Sequence, residues 1–255
     1  MSSDGIAAVV VVHGEAPELE ACLGALEEPT DELVVVQNLP GDLAPLPPGT
    51  TVIVNERPAG FAANANRGIA ATESPLVLVA NPDTQAHDGA LEELRAFMRD
   101  RPSCGVAGPE LRYPDGAWQP SRRRFPTIRG TLVRRTPLRT LLPPRTSQRD
   151  HYLLDERVAS PASADWLLGA FLLLRRQMLD ELGAFDAGFR LYGEDIDLCY
   201  RAMRAGWERW LVPAAVVSHA HQAVTDRRFL TRRTIWHWRG IARFVRKHPE
   251  RLRAL

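Results

Sequence analysis

Ile6-Ala7-Ala8-Val9-Val10-Val11-Val12 is an unbroken apolar run rich in β-branched side chains. A strand with one wet face would alternate with polar residues, so this run reads as a strand buried on both faces, as in a parallel sheet. Beyond Pro17, the residues Leu19, Cys22, Leu23 and Leu26 fall on one face of a helical pattern. Residues 33–36 and 51–54 are two more buried strands. The four prolines and two glycines of residues 39–49 make the stretch between them a loop. Small helix formers fill residues 59–72, residues 76–80 form another apolar strand, 90–98 an amphipathic helix, and 105–108 open a further strand. This alternation defines an α/β fold, an open and mostly parallel twisted sheet flanked by helices.

The second half is patterned differently. Residues 112–162 are proline-spotted, arginine-rich and weakly periodic, which predicts long loops. Residues 164–175 return to an apolar, strand-like pattern. Ile196, Cys199 and Met203 give residues 194–205 a helical spacing, 210–212 and 215–219 read as short strands, and 227–247 as a closing helix. The organisation expected is one domain over residues 1–225, with halves 1–110 and 111–225, followed by a basic, aromatic C-terminal helix within 226–255.

Apolar residues make up 45% and charged residues 25% of the 255, values that argue against disorder and against a disulfide-stapled scaffold. Cys22, Cys104 and Cys199 are widely spaced with no CxxC pair, and read as buried small hydrophobes. No apolar run approaches the roughly 18–20 residues of a membrane span, and the start lacks the basic end and cleavage site of a signal peptide, which points to a cytoplasmic chain. The net charge of +1 conceals a strong segregation. Residues 112–149 carry ten arginines against one acid, residues 226–255 ten basic residues against two acids, and the remainder is strongly negative. Anionic partners are expected at those two segments.

Ligands of open α/β sheets bind beyond the carboxyl ends of the strands. There lies Asn81-Pro82-Asp83, where Pro82 fixes the turn and Asp83 is presented at the strand tip, suited to a divalent cation or simply to a turn. Gly193-Glu194-Asp195-Ile196-Asp197 opens a helix, where three acids favour the helix N-terminus. The apolar-aromatic Phe189-Arg190-Leu191-Tyr192 precedes it, and acids against such a wall are raised toward general-base values. His219 and His221 alternate onto one face of a strand end, as metal or phosphate ligands can.

The order of these segments, from the N-terminal βα run and NPD through WLLGAF, LYGEDIDLCYR, AGW and VSHAHQ, resembles the family 2 glycosyltransferases, and within them the rhamnosyltransferase-like and galactofuranosyltransferase-like branch. The resemblance covers residues 9 to about 222, including GFAANANRG after Asn55. It implies the GT-A fold and an inverting transfer from a nucleoside-diphosphate sugar, rhamnose-like, to a glycan or polyprenyl-linked acceptor of the cell envelope. Asp195 matches the catalytic base, with Glu194 beside it. Asp83 and His219 match the ligands of a divalent cation, Mg2+ or Mn2+. Val12, His13, Gln37, Asn38, Asn66 and Asn81 fall on the donor side; Trp166, Gly169 and Asp197 on the acceptor side. Arg122, Arg123, Arg124 and His221 are candidate phosphate contacts.

Two departures stand out. The family's T-Y-N after the first strand is His13-Gly14-Glu15, and its D-N-x-S after the second is Gln37-Asn38-Leu39-Pro40. Gln37 can donate and accept, so base recognition with a changed preference is one reading. A non-catalytic nucleotide- or carbohydrate-binding relative is the other. The closing helix mixes arginines with Trp236 and Trp238, which suits either peripheral contact with the anionic inner face of the plasma membrane or packing on the domain, and a homodimer is a further use for it. No nucleic-acid recognition motif accompanies the arginines, and a nucleic-acid partner is not expected.

Overall fold

The computed structural model describes residues 4–14, 16–43, 45–125, 157–220 and 232–252. The N-terminal part runs β1 (Ile6–Val12), α1 (Leu19–Glu27), β2 (Glu32–Gln37), β3 (Thr51–Val54), α2 (Phe61–Ile69), β4 (Leu76–Ala80), β5 (Thr84–Ala86), α3 (Ala90–Asp100) and β6 (Cys104–Arg112). Short strands β7 (Trp118–Gln119), β8 (Arg122–Arg123), β9 (Ala162–Ser163) and β10 (Trp166–Leu167) follow, then β11 (Phe171–Arg175), α4 (Arg176–Leu182), α5 (Glu194–Arg204), β12 (Glu208–His219) and α6 (Arg232–Lys247). A 3-10 turn at Pro249–Leu252 closes the described chain.

The main sheet has the order β3-β2-β1-β4-β11-β6-β12-β5, with β7 added on β6 and β9 on β12. Strands β1 to β4 are mutually parallel, and β12 runs parallel to β6. Between the two groups β11 is inserted antiparallel to both β4 and β6. Every residue of β1 and β4 is buried, as an apolar run without alternation requires. The period of two then sorts their side chains. Ile6, Ala8, Val10 and Val12 pack with Leu19, Leu23 and Leu26 of α1 and Leu91, Leu94 and Met98 of α3. Val9 and Val11 face the opposite way, toward Ala62, Ala65 and Ile69 of α2, Met178 and Leu179 of α4, and Leu198 and Cys199 of α5. The sheet is thus covered on both faces, and its free surface is the rim where β1, β2 and β4 end.

Four sequence expectations change. The strand-like stretch 164–175 is two strands, β10 and β11, interrupted at Leu168-Gly169-Ala170. The two short strands at 210–219 are one strand whose register slips between Val212 and Val216, around Pro213, which has no N–H to give a ladder. The arginine-rich excursion contributes β7 and β8, with residues 126–156 outside the described residues. Residues 51–54, expected as a buried strand, form the edge strand β3 with Thr51, Val52 and Val54 exposed. Among the described residues no helix is long and apolar enough to cross a membrane.

Candidate active site

Asp83 is set by the turn that Pro82 enforces at the end of β4. The Thr84 N–H and hydroxyl both donate to the Asn81 carbonyl, at 3.3 and 2.7 Å, which closes the turn. Thr84 then pairs with His219 across the β5–β12 ladder, and the Ala220 N–H donates to the Asp83 carbonyl at 2.9 Å. This brings His219 Nε2 to 3.5 Å from Asp83 Oδ1, although 136 positions separate them in the chain. His219 is buried, and Gln119 Oε1 lies 3.0 Å from its Nδ1. A carbonyl oxygen can only accept, so Nδ1 carries the proton and Nε2 offers its lone pair toward Asp83 when the ring is neutral. One carboxylate and one imidazole with an oriented tautomer fit a hard divalent cation that completes its shell with phosphate oxygens and water. Among the described residues no group of three or more His, Cys, Asp or Glu is assembled as an all-protein cage.

Asp195 sits in the first turn of α5, entered through Tyr192 (φ 70°) and Gly193 (φ 98°), two successive left-handed residues. Its Oδ2 accepts the Gly169 N–H at 3.1 Å and its Oδ1 the Ile196 N–H at 2.8 Å. Gly169 is required by close approach: a Cβ there would lie 3.1 Å from Asp195 Cβ and 3.3 Å from Oδ2. Glu194 is buried, and its Oε2 has no hydrogen-bond partner among the described residues. Burial, reinforced by the Asp195 charge, pushes the Glu194 carboxyl up. Burial also raises Asp195, against the pull of the Ile196 and Gly169 N–H groups and of the Arg123 guanidinium. The pair therefore resists losing both protons, and holds a carboxylate more basic than an exposed aspartate.

Hydrogen bonds join these groups into one rim. Ala170, next to Gly169, accepts the Asn81 N–H at 2.8 Å. A continuous path runs from Asp195 through Gly169, Ala170 and Asn81 to Asp83 and His219. Beside it, β10 pairs with β8 so that Trp166 lies opposite Arg123, whose guanidinium is 5.0 Å from the indole centroid. The Trp166 indole N–H donates to the Arg124 carbonyl at 2.8 Å, and Arg122 donates to the Ser163 carbonyl. Arg124 is exposed, and His221 lies outside the described residues.

Four residues expected at the ligand surface are engaged elsewhere. Asn38 accepts from the Ala59 N–H (2.8 Å) and Asn55 Nδ2 (2.9 Å), and its own Nδ2 reaches the Ala59 carbonyl (3.1 Å) and His13 Nδ1 (2.5 Å). These four bonds exhaust an asparagine amide, so Asn38 is a buried hub that ties β1, β2 and the start of α2 together. Asn66 grips the backbone of Phe185 with both ends, Nδ2 to the carbonyl at 2.7 Å and Oδ1 from the N–H at 2.9 Å. Asp197, fully buried, accepts from Arg201 (2.8 Å), Lys247 (2.9 Å) and His248 (2.8 Å), and so anchors α6 instead of facing an acceptor. Gln37 is buried and donates to the Gly41 carbonyl at 2.7 Å, shaping its own loop. Sequence reasoning also passed over Asn55, Asn64 and Arg67, which extend the Asn38 hub, with Asn55 donating to Asn64 Oδ1 at 2.6 Å and Arg67 to Asn55 Oδ1. Three asparagines within GFAANANRG and just before it were the available signal.

A doubly covered sheet whose strand tips gather a carboxylate, an imidazole and a basic aspartate has the architecture of the GT-A nucleotide-sugar transferases. The chain belongs to glycosyltransferase family 2: the profile described as "Glycosyltransferase like family 2" matches residues 41–237. It is 30% identical over 247 residues to the N-acetylglucosaminyl-diphospho-decaprenol L-rhamnosyltransferase of Mycobacterium tuberculosis, covering 88% of this chain and 79% of that one. Its fold is that of GalNAc-T7 solved with UDP, GalNAc and Mn2+ (TM-score 0.68, 16% identity, 95% of this chain and 47% of that one). The mannosyltransferase PcManGT from Pyrobaculum calidifontis, in complex with GDP-Man and Mn2+, shares it too (0.56, 16%, 87% and 58%). The chain thus spans about half the length of these two solved proteins. It is a rhamnosyltransferase-like glycosyltransferase.

Proposed function

We propose that the protein transfers a rhamnose-like sugar, with inversion, from a deoxythymidine-diphosphate donor to a hydroxyl of a polyprenyl-diphosphate-linked glycan. Asp195 is the base. Its carboxylate, aimed by the Gly169 and Ile196 N–H groups, takes the acceptor proton as the acceptor oxygen bonds to the anomeric carbon. The bond from that carbon to the diphosphate breaks on the opposite face, and the diphosphate leaves with the electron pair. Asp83 and His219 would hold a divalent cation, which when bound offsets negative charge on the diphosphate. Arg123, stacked on Trp166, adds positive charge on the acceptor side of the rim. Glu194, kept protonated by burial and by its neighbour, leaves Asp195 as the ionised member of the pair.

The observation that supports this reading is the hydrogen-bonded path from Asp195 through Gly169, Ala170 and Asn81 to Asp83, which joins the proposed base to the proposed cation ligands along one rim. The relative's acceptor, a decaprenyl-diphosphate-linked N-acetylglucosamine, supports the choice of acceptor. The test is a mass-spectrometric transfer assay with deoxythymidine-diphosphate rhamnose, a short polyprenyl-diphosphate N-acetylglucosamine and Mg2+ or Mn2+. Asp195→Asn should abolish transfer while calorimetry still registers donor binding. Turnover near the parent level in that variant refutes the base assignment, and a parent protein that transfers only other sugars refutes the donor.

A further inference from the structure

Helix α6 is fastened to the catalytic end of α5 at two points, one on each side of Asp195. On the far side, Lys247 and His248 bond Asp197, and Phe244 is buried with its ring 5.6 Å from that of Tyr200. Arg243 and Lys247 also bind Asp186, at 2.7 and 2.9 Å, at the head of the loop that leads into α5. On the near side, Gly240 packs so closely on the loop that a Cβ there would lie 2.3 Å from the Tyr192 carbonyl oxygen. One turn earlier His237 puts its ring 5.5 Å from that of Tyr192, and Trp236 is stacked by Arg190 at 4.8 Å. His237, Gly240, Phe244 and His248 recur at helical spacing, so one face of α6 makes all these contacts.

The loop needs such support. Tyr192 is the one non-glycine residue with positive φ among the described residues, and Gly193 follows it in the same region. A bulky side chain in the left-handed region persists only where its surroundings over-determine it. Here the loop is clamped from the opposite side as well: the Phe61 N–H donates to the Arg190 carbonyl at 3.0 Å, and a Cβ on Gly60 would lie 2.8 Å from Arg190 Cα. Between the two clamps the direction of the first turn of α5, and hence of the Asp195 carboxylate, is fixed.

We infer that α6 is a positioning element for the reaction, with Gly240 as its key residue: its bare Cα against the Tyr192 carbonyl sets the angle at which Asp195 meets Gly169. The inference rests on Asp195 being the base. Its function is geometric: Gly240 meets the Tyr192 carbonyl and acts on Asp195 through the loop between them.

The test is Gly240→Ala in the full chain, beside Asp195→Asn and the solvent-face control Ala242→Ser. Alanine favours helix over glycine, so a loss of activity would not come from a weakened helix. The added methyl must displace the Tyr192 carbonyl, and a misplacement approaching 1 Å costs catalysis on the order of 100-fold. The expected result is a fall in kcat of about 10- to 100-fold with the donor dissociation constant and KM within about two-fold of the parent. The acid limb of the kcat/KM profile should also move to higher pH, because Asp195 loses N–H donors that favour its charged form, while the titratable groups facing it, the protonated Glu194, the Cys199 thiol and the Arg123 guanidinium, are unchanged. If Gly240→Ala does not fold, His237→Ala carries the test, with a smaller fall in kcat and the same displacement of the limb. Parent kcat and an unmoved limb, in a background where Asp195→Asn is dead, overturn the positioning role alone. An active Asp195→Asn overturns the base assignment and this inference with it.

Discussion

Replacing Asp197 by alanine separates an anchoring carboxylate from an acceptor-binding one. Asp197 has no exposed surface and is met at 2.8–2.9 Å by two cations, Arg201 from its own helix and Lys247 from the end of α6, and by the His248 ring that follows. Removing one side of a buried ion pair strands the other charges in a place poor in water, and costs about 3–5 kcal/mol. That is a large part of the ~5–15 kcal/mol by which a domain is stable. At roughly 2–4 °C per kcal/mol for a chain of this size, the melting midpoint should fall by about 6–20 °C. Asp197→Asn keeps one acceptor oxygen, either for Arg201 and Lys247 on the Oδ2 side or for His248 on the Oδ1 side, and should lose less. Burial alone would raise the Asp197 carboxyl, but the bonds from His248, Lys247 and Arg201 outweigh it and hold the group below the usual carboxylate range. Its contribution is therefore whole above about pH 4, the unfolded value, and is lost as the pH falls through the folded one. Urea titrations at a series of pH values measure both effects, and in Asp197→Asn the acid side of the stability curve should flatten. A variant with parent stability and a raised acceptor KM would refute the anchoring role and restore Asp197 to the acceptor surface.

Gly169→Ala places a methyl 3.1–3.3 Å from the Asp195 side chain and should lower kcat at least about 10-fold with donor affinity kept; undiminished turnover would mean that Asp195 is not aimed from Gly169. His219→Ala should remove the enhancement of donor binding by Mn2+ in calorimetry without unfolding the protein, and an unchanged metal dependence would exclude His219 as a ligand. Cys22, Cys104 and Cys199 are buried, and burial pushes each thiol up to about 12. None should react with iodoacetamide at pH 8 in the folded protein and all three should react in urea, as intact-mass measurement will show.

The apolar runs at 6–12, 33–36 and 76–80 were legible as doubly buried strands because burial on both faces leaves no other composition, and β1, β2 and β4 follow. Strand direction was not legible. Nothing in Phe171–Arg175 distinguishes an antiparallel strand from the parallel ones beside it, since side-chain burial is the same in both ladders. The residues that meet at the rim could be recognised in order along the chain, and folding brings Asp83 beside His219 and Gly169 against Asp195. The partners of polar side chains were beyond reach. Asn38, Asn66 and Asp197 carry the same functional groups as ligand-binding residues, and only folding shows that backbone amides, neighbouring asparagines and α6 have already taken them.

The insertion of β11 between β4 and β6 also bears on how the protein is made. β4 is wholly apolar and β6 is so from Cys104 to Pro109, and the edges where they meet β11 stay bare until residue 175 has left the ribosome. A nascent chain that has only reached the end of β6 therefore presents one bare edge of β4 and both edges of β6, whose partners β7, β11 and β12 all come later, the kind of template on which neighbouring polypeptides add. Pausing of translation between residues 112 and 171 would lengthen that exposure, so expression of this protein should gain from chaperones that shield growing chains, and fragments cut after β6 should precipitate.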